Sequence, residues 1–174
     1  IRLPEGRTIN VSDIDFWVFP VGTKLWKEFS FGGHKVETRM LWRATEEQWV
    51  FASYVWNDAQ TEAHLAPDVG IRNHTEIAPG VRHSIPSQAE CRSCHESGGT
   101  PVLGFNALQL SDERDELAPH AQPLKATSLT ISRLERFGLL HPRRPDLVKN
   151  PPRIKATSPR ERAVLGYLST NCGS

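Results

Sequence analysis

Between Thr23 and Phe31 apolar and polar residues alternate, with Leu25, Lys27, Phe29 and Phe31 on one face and Trp26, Glu28 and Ser30 on the other. That period of two is the mark of a half-buried strand. Two more β-rich runs follow, HKVETRMLWRA from His34 and QWVFASYVWN from Gln48, joined through the polar Thr45-Glu46-Glu47. Residues 16–57 are therefore predicted to form an antiparallel meander. From Asn57 to Pro86 the chain is punctuated by Pro67, Gly70, Pro79, Gly80 and Pro86, which predicts irregular structure with room for one or two short strands in IRNHTEIAPGVRHSI.

The period then changes. Ser87 follows Pro86, and Glu90 stands three positions later; this is a capping-box pattern, and it predicts a helix near 88–96. GGTPVLGF (Gly98 to Phe105) reads as loop and ALQLS as a brief helical turn. Leu129, Ile131, Leu134, Phe137 and Leu140 recur at helical spacing, predicting a helix over 128–140 with Gly138 near its stop. Five prolines in the nineteen residues from His141 to Pro159 predict an extended strap over 141–158. Ser158 as N-cap, Pro159 at the first helical position and Glu161 predict a last helix with a second capping box. The expected fold class is α+β: a β-rich domain over 1–127, then a helical and Pro-rich extension ending in a further module from 159 to 174.

Composition narrows the function. With 21 basic and 20 acidic residues the net charge is +1, so nothing calls for nucleic acid or an anionic membrane as partner. No run of eighteen apolar residues occurs. All five tryptophans (Trp17, Trp26, Trp42, Trp49, Trp56) fall in the first 56 residues; they are expected mostly as sheet core, with a minority free to wall a cofactor pocket. The chain starts at Ile1 rather than Met, which fits a lost signal or lipid-anchor segment.

The chemistry is concentrated in Cys91-Arg92-Ser93-Cys94-His95. Two thiols three apart on one helical face suit the two vinyl groups of one porphyrin, and the next residue offers its imidazole to the iron; this is the spacing of c-type haem attachment. Cys91 and Cys94 are the expected anchors and His95 the proximal ligand. A thioredoxin-like pair, a zinc half-site and a plain disulfide are the alternatives. The stretch before Cys91 does not read as the βαβ unit a redox pair uses, and zinc needs two further ligands when the only other cysteine is Cys172. Met40, the sole methionine, is a candidate for the iron's sixth position as well as a strand core residue. His34, His64, His74 and His83 are further candidates, each also readable as a surface histidine.

Two resemblances enter on these residues. FPVGTKLWKEFSF, WVFASYVWNDAQTEA, IPSQAECRSCH and LGFNALQLS together resemble a family of uncharacterised bacterial periplasmic proteins with C-x-x-C-H motifs, some fused to or encoded beside sugar or quinoprotein dehydrogenases. The last helix running into Asn171-Cys172-Gly173-Ser174 looks like the opening of a class I cytochrome c domain. That likeness implies that Cys172 is the first cysteine of a second haem site and that the gene product continues past Ser174. More remotely, FPVGT, the Trp-rich strand and the late C-x-x-C-H resemble the cytochrome P-460 and cytochrome c′-beta group, in which an antiparallel β fold encloses a c-type haem. The P-460 members carry a lysine crosslink to the porphyrin. Here residues 36–43 offer Arg39 and Arg43, and no lysine occurs between Lys35 and Lys125.

Covalent haem attachment is extracytoplasmic in bacteria, so a periplasmic location is expected. Three functions follow: an electron-transfer subunit working with a periplasmic dehydrogenase, another redox protein or a membrane electron-transfer complex; an accessory subunit of such an assembly with haem absent or idle; or a haem enzyme or gas-binding protein of the P-460 and c′-beta kind. The first two make the chain a subunit rather than an enzyme in itself, with any membrane association peripheral and through partners. In this reading residues 141–174 dock on a neighbour, and in the free chain they are cleaved rapidly after Arg144, Lys149 or Arg153.

Overall fold

The fold, taken from a computed structural model, is described for residues 1–113, 124 and 128–172, with side chains as far as Ser169. In chain order the elements are β1 (Ile9–Asn10), β2 (Lys24–Phe31), β3 (His34–Arg43), β4 (Trp49–Trp56), β5 (Ala63–Leu65), β6 (Ile71–Ala78), β7 (Val81–Ile85), α1 (Gln88–His95), α2 (Ile131–Arg136), β8 (Leu140–His141), α3 (Pro145–Lys149) and α4 (Pro159–Cys172). The class is α+β with antiparallel sheets and a few short helices. No helix among the described residues is long and apolar enough to cross a membrane.

Contacts divide the chain into two units that interleave along the sequence, one formed by Ile1–Glu5 and Pro20–Ser97, the other by Gly6–Phe19 and Gly98–Ser174. In the first, β2, β3, β4 and β5 form a four-stranded antiparallel meander, and β6 and β7 pair as a separate sheet. Gly32 and Gly33 close the β2–β3 turn with φ of +57° and +85°, the left-handed values that two-residue hairpin turns require. A register shift at Phe29/Ser30 leaves the face alternation of β2 intact. Because direct cross-strand partners share a face and successive residues alternate, Leu25, Leu41 and Phe51 lie on one face with Lys27, Arg39, Ser53, Phe29, Glu37 and Val55. Trp26, Met40 and Ala52 lie on the other. Leu25, Phe51 and Ile85 are core residues of this unit.

In the second unit β1 pairs with β8 in parallel, Ile9 opposite Leu140. Trp17 and Phe19 each pack edge-to-face with Phe105, at centroid distances of 5.9 and 5.4 Å, and Val11, Val102, Ile131 and Leu134 are also buried in this unit. Of the five tryptophans only Trp17 is fully buried; Trp42, Trp49 and Trp56 are half-buried and Trp26 is exposed. The expectation that most are core is therefore corrected: strand position alone does not bury a ring, and Lys24 and Lys35 cover the faces of Trp42 and Trp56 instead. Trp17→Ala is expected to cost about 3–5 kcal/mol in urea unfolding, the range for deleting a buried large aromatic.

The C-terminal reading changes too. The helix predicted over 128–140 spans only Ile131–Arg136, capped by Thr130, because Gly138 turns the chain at φ +66° and Leu140 is taken up by β8. The first part of the predicted strap is folded. Leu147 of α3 is buried, Glu135 accepts from the Arg143 guanidinium and the Arg144 amide, and Arg144 donates to the Val11 carbonyl. Residues 142–144, between β8 and α3, and 150–158 lack regular structure. Native trypsin is expected to spare Arg143, whose side chain is held by Glu135, and to cut first after Arg153 or Lys155 in the irregular 150–158 stretch; Arg144 precedes Pro145 and is no trypsin site in either case. At α4 the Glu161 amide donates to Ser158 Oγ as the capping box predicts, but the Glu161 carboxylate reaches back to Thr157 rather than Ser158.

Candidate functional site

Cys91, Cys94 and His95 stand on α1, which lies in the first unit. The helix starts where its local sequence says it should: Ser87 Oγ accepts from the Glu90 amide, and the Glu90 carboxylate accepts from the Ser87 amide at 2.8 Å. That reciprocal pair satisfies two otherwise orphaned donors. Four contacts then fix the helix against its surroundings. Gln88 donates through its amide to the Asp68 carbonyl at 2.8 Å and through Nε2 to the Phe51 carbonyl at 2.7 Å. Arg72 pairs with Glu90 at 2.8 Å. His95 rests on Phe51, ring centroids 5.2 Å apart.

Gly70 makes this junction possible. At φ +72° a Cβ on it would come within 2.5 Å of the Ile85 carbonyl oxygen and 2.7 Å of the Ser87 nitrogen. Both are backbone atoms that cannot swing aside. Gly70→Ala is expected to destabilise by about 1–3 kcal/mol, the range for a strained left-handed non-glycine residue, and to loosen the α1 N-terminus in hydrogen exchange.

No residue of α1 is buried, yet its two thiols differ. Cys91 is half-buried and Cys94 exposed, and neither is in a disulfide. Burial pushes the Cys91 thiol up from its ordinary value, and Arg39 and Glu37 act on it in opposite senses. A raised thiol is the opposite of the activated thiolate on which a dithiol oxidoreductase depends. Among the described residues no group of three or more His, Cys, Asp or Glu side chains could hold a metal ion. The residues fit a covalent porphyrin in three respects: two unbridged thiols three apart on a capped helix, an exposed flank beside Cys94, and an imidazole next in sequence lying on an aromatic ring.

The structure does not bring Met40 to this helix. Phe51 shares a face with Leu41, so Met40, one residue on, points to the opposite side of the sheet. His34 is exposed at the start of β3, and His64 pairs with Glu62 at the surface. Cys172 ends α4 in the second unit; its side chain, like Asn171, Gly173 and Ser174, lies outside the described residues, as does most of 114–127.

His83 is not the surface histidine it was expected to be. Its side chain is 13% exposed and its Nε2 lies 2.8 Å from Glu37 Oε2. Its ring sits 5.8 Å from Phe29 and 5.3 Å from Phe31, centroid to centroid. Glu37 is 0% exposed and also accepts from Arg39 Nε and Nη2, at 2.7 and 3.0 Å. Burial alone would push its carboxyl up, but the hydrogen bonds from Arg39, His83 and Ser53 together with the Arg39 charge outweigh it and hold the group below its ordinary value. The ionised carboxylate can only accept, so His83 Nε2 carries the proton between them. The signal for this cluster was present in β3: Glu37 and Arg39 are in phase with Leu41, which puts charge at positions on the α1-facing side of the sheet. The chain matches no protein-family model, no curated protein and no solved structure.

Proposed function

We propose that the chain is a periplasmic c-type cytochrome-like subunit that passes electrons to or from a dehydrogenase or a membrane redox complex. The observation that carries this reading is a single capped helix presenting Cys91 and Cys94, unbridged and three apart, with His95 next in sequence. Cys91 and Cys94 would hold a haem by thioether bonds, each S–H adding across one vinyl double bond, with sulfur bonded to one carbon and hydrogen to the other. His95 would supply the proximal nitrogen. A bound haem would supply one-electron chemistry. The protein's part is to set the helix, through the Gln88 contacts and the Gly70 junction.

The position of Met40 supports a second reading. With the sole methionine turned to the far face of the sheet, Met40 would not supply a sixth ligand, which favours a gas-binding or small-molecule site of the c′-beta kind. Visible spectra of the chain matured in a haem-attaching periplasm, reduced and oxidised, with and without CO, separate the two. A six-coordinate spectrum indifferent to CO supports electron transfer, a CO-shifted Soret band supports the open site, and no haem bands at all would reject both. His95→Ala is expected to keep attachment but shift the Soret band and admit added imidazole.

A further inference from the structure

The β6–β7 hairpin shares no ladder with the four-stranded sheet. Side chains, not backbone pairing, must therefore hold it in place. His83 of β7 is the residue that reaches the sheet's buried charge, seated between Phe29 and Phe31 of β2 and bonded to Glu37 of β3. Glu37 in turn is locked by Arg39 on its own strand. Two residues, Pro86 and Ser87, then separate β7 from α1. With so short a link, the placement of β7 sets where the helix begins, and Ser87 is its N-cap.

We propose that Glu37 and His83 are positioning residues that together pin the hairpin and so set the C-x-x-C-H helix, with Cys91 turned toward the sheet and Cys94 toward solvent. This deepens the haem-attachment reading and rests on it only for its consequence. If the pin opens, the helix lifts and Cys91 loses the half-burial that distinguishes it from Cys94. The two thiols then become alike, and a porphyrin meets an unregistered pair.

The test uses the full chain expressed without haem attachment, with N-ethylmaleimide as probe and the labelling of Cys91 and Cys94 read separately by mass spectrometry. His83→Phe fills the aromatic seat but cannot donate to Glu37. It is expected to speed Cys91 labelling about tenfold or more, the factor that a lost hydrogen bond to a charged group gives in a local opening equilibrium, with Cys94 unchanged. His83→Gln keeps a donor and is expected to stay within about twofold of the native rate. Glu37→Gln, which keeps the shape and removes the charge, is expected to expose Cys91 selectively as well, and it decides the matter if His83→Phe does not fold. Cys91 as protected in both variants as in the native chain, or both thiols accelerated equally, would overturn the pin. In a haem-attaching host, His83→Phe should lower covalent haem per chain while His83→Gln does not. A native chain that takes up no haem defeats the proposed function and leaves the pin to be judged on labelling alone.

Discussion

Glu37→Leu is expected to lower the unfolding free energy by about 3 kcal/mol, the low end of the range for removing one partner of a buried ion pair. The substitution strands the Arg39 guanidinium and the His83 Nε2 donor, both of which now point at the buried carboxylate. Arg39 keeps 31% of its side-chain surface in water, which moderates the loss. Urea unfolding at neutral pH checks the figure. The same carboxylate gives the fold an acid limit. Its folded pKa lies below the ordinary 4.5, so its contribution is complete above that value and is lost as pH falls below it through the folded pKa. The native chain is expected to lose stability in that window, and Glu37→Leu to lose less.

The largest functional effect is expected at the two cysteines. Cys91→Ala combined with Cys94→Ala should abolish covalent haem, because every proposed attachment runs through those sulfurs. Each single change should leave one thioether and a chain from which haem is more readily stripped under denaturing acid conditions. Losing Cys94, the exposed thiol, is expected to disturb the fold less than losing the half-buried Cys91, and circular dichroism of the unattached variants reads the difference.

What could be read from the sequence was local. The α1 cap follows from Ser87 and Glu90 alone, and the β2–β4 meander from alternation over runs of eight to ten residues. The two strands allowed for in 71–85 are present as β6 and β7. What escaped depends on distant partners. The β1–β8 pair is two residues long on each side, too short for any period to register, yet it joins the sixth to nineteenth residues to the C-terminal unit. Leu140 fits a helical stripe by spacing, but Gly138 ends the helix before it. Prolines at 142 and 145 suggested an extended strap, whereas Pro145 opens a short helix, where a missing amide costs nothing. In the site, the three residues proposed for attachment were visible as a motif. The Glu37–Arg39–His83 cluster was half visible, since its charges sit in phase with Leu41, but its histidine comes from a strand 46 residues away.

The central claim, covalent haem on α1, is tested most directly by mass spectrometry of the chain purified from a bacterial periplasm competent for cytochrome c maturation. The account predicts that the intact chain is heavier than its sequence by one haem, and that the peptide covering residues 88–96 carries the addition and has no thiol available to iodoacetamide. A chain of unmodified mass, whose 88–96 peptide is alkylated at both Cys91 and Cys94, would contradict it.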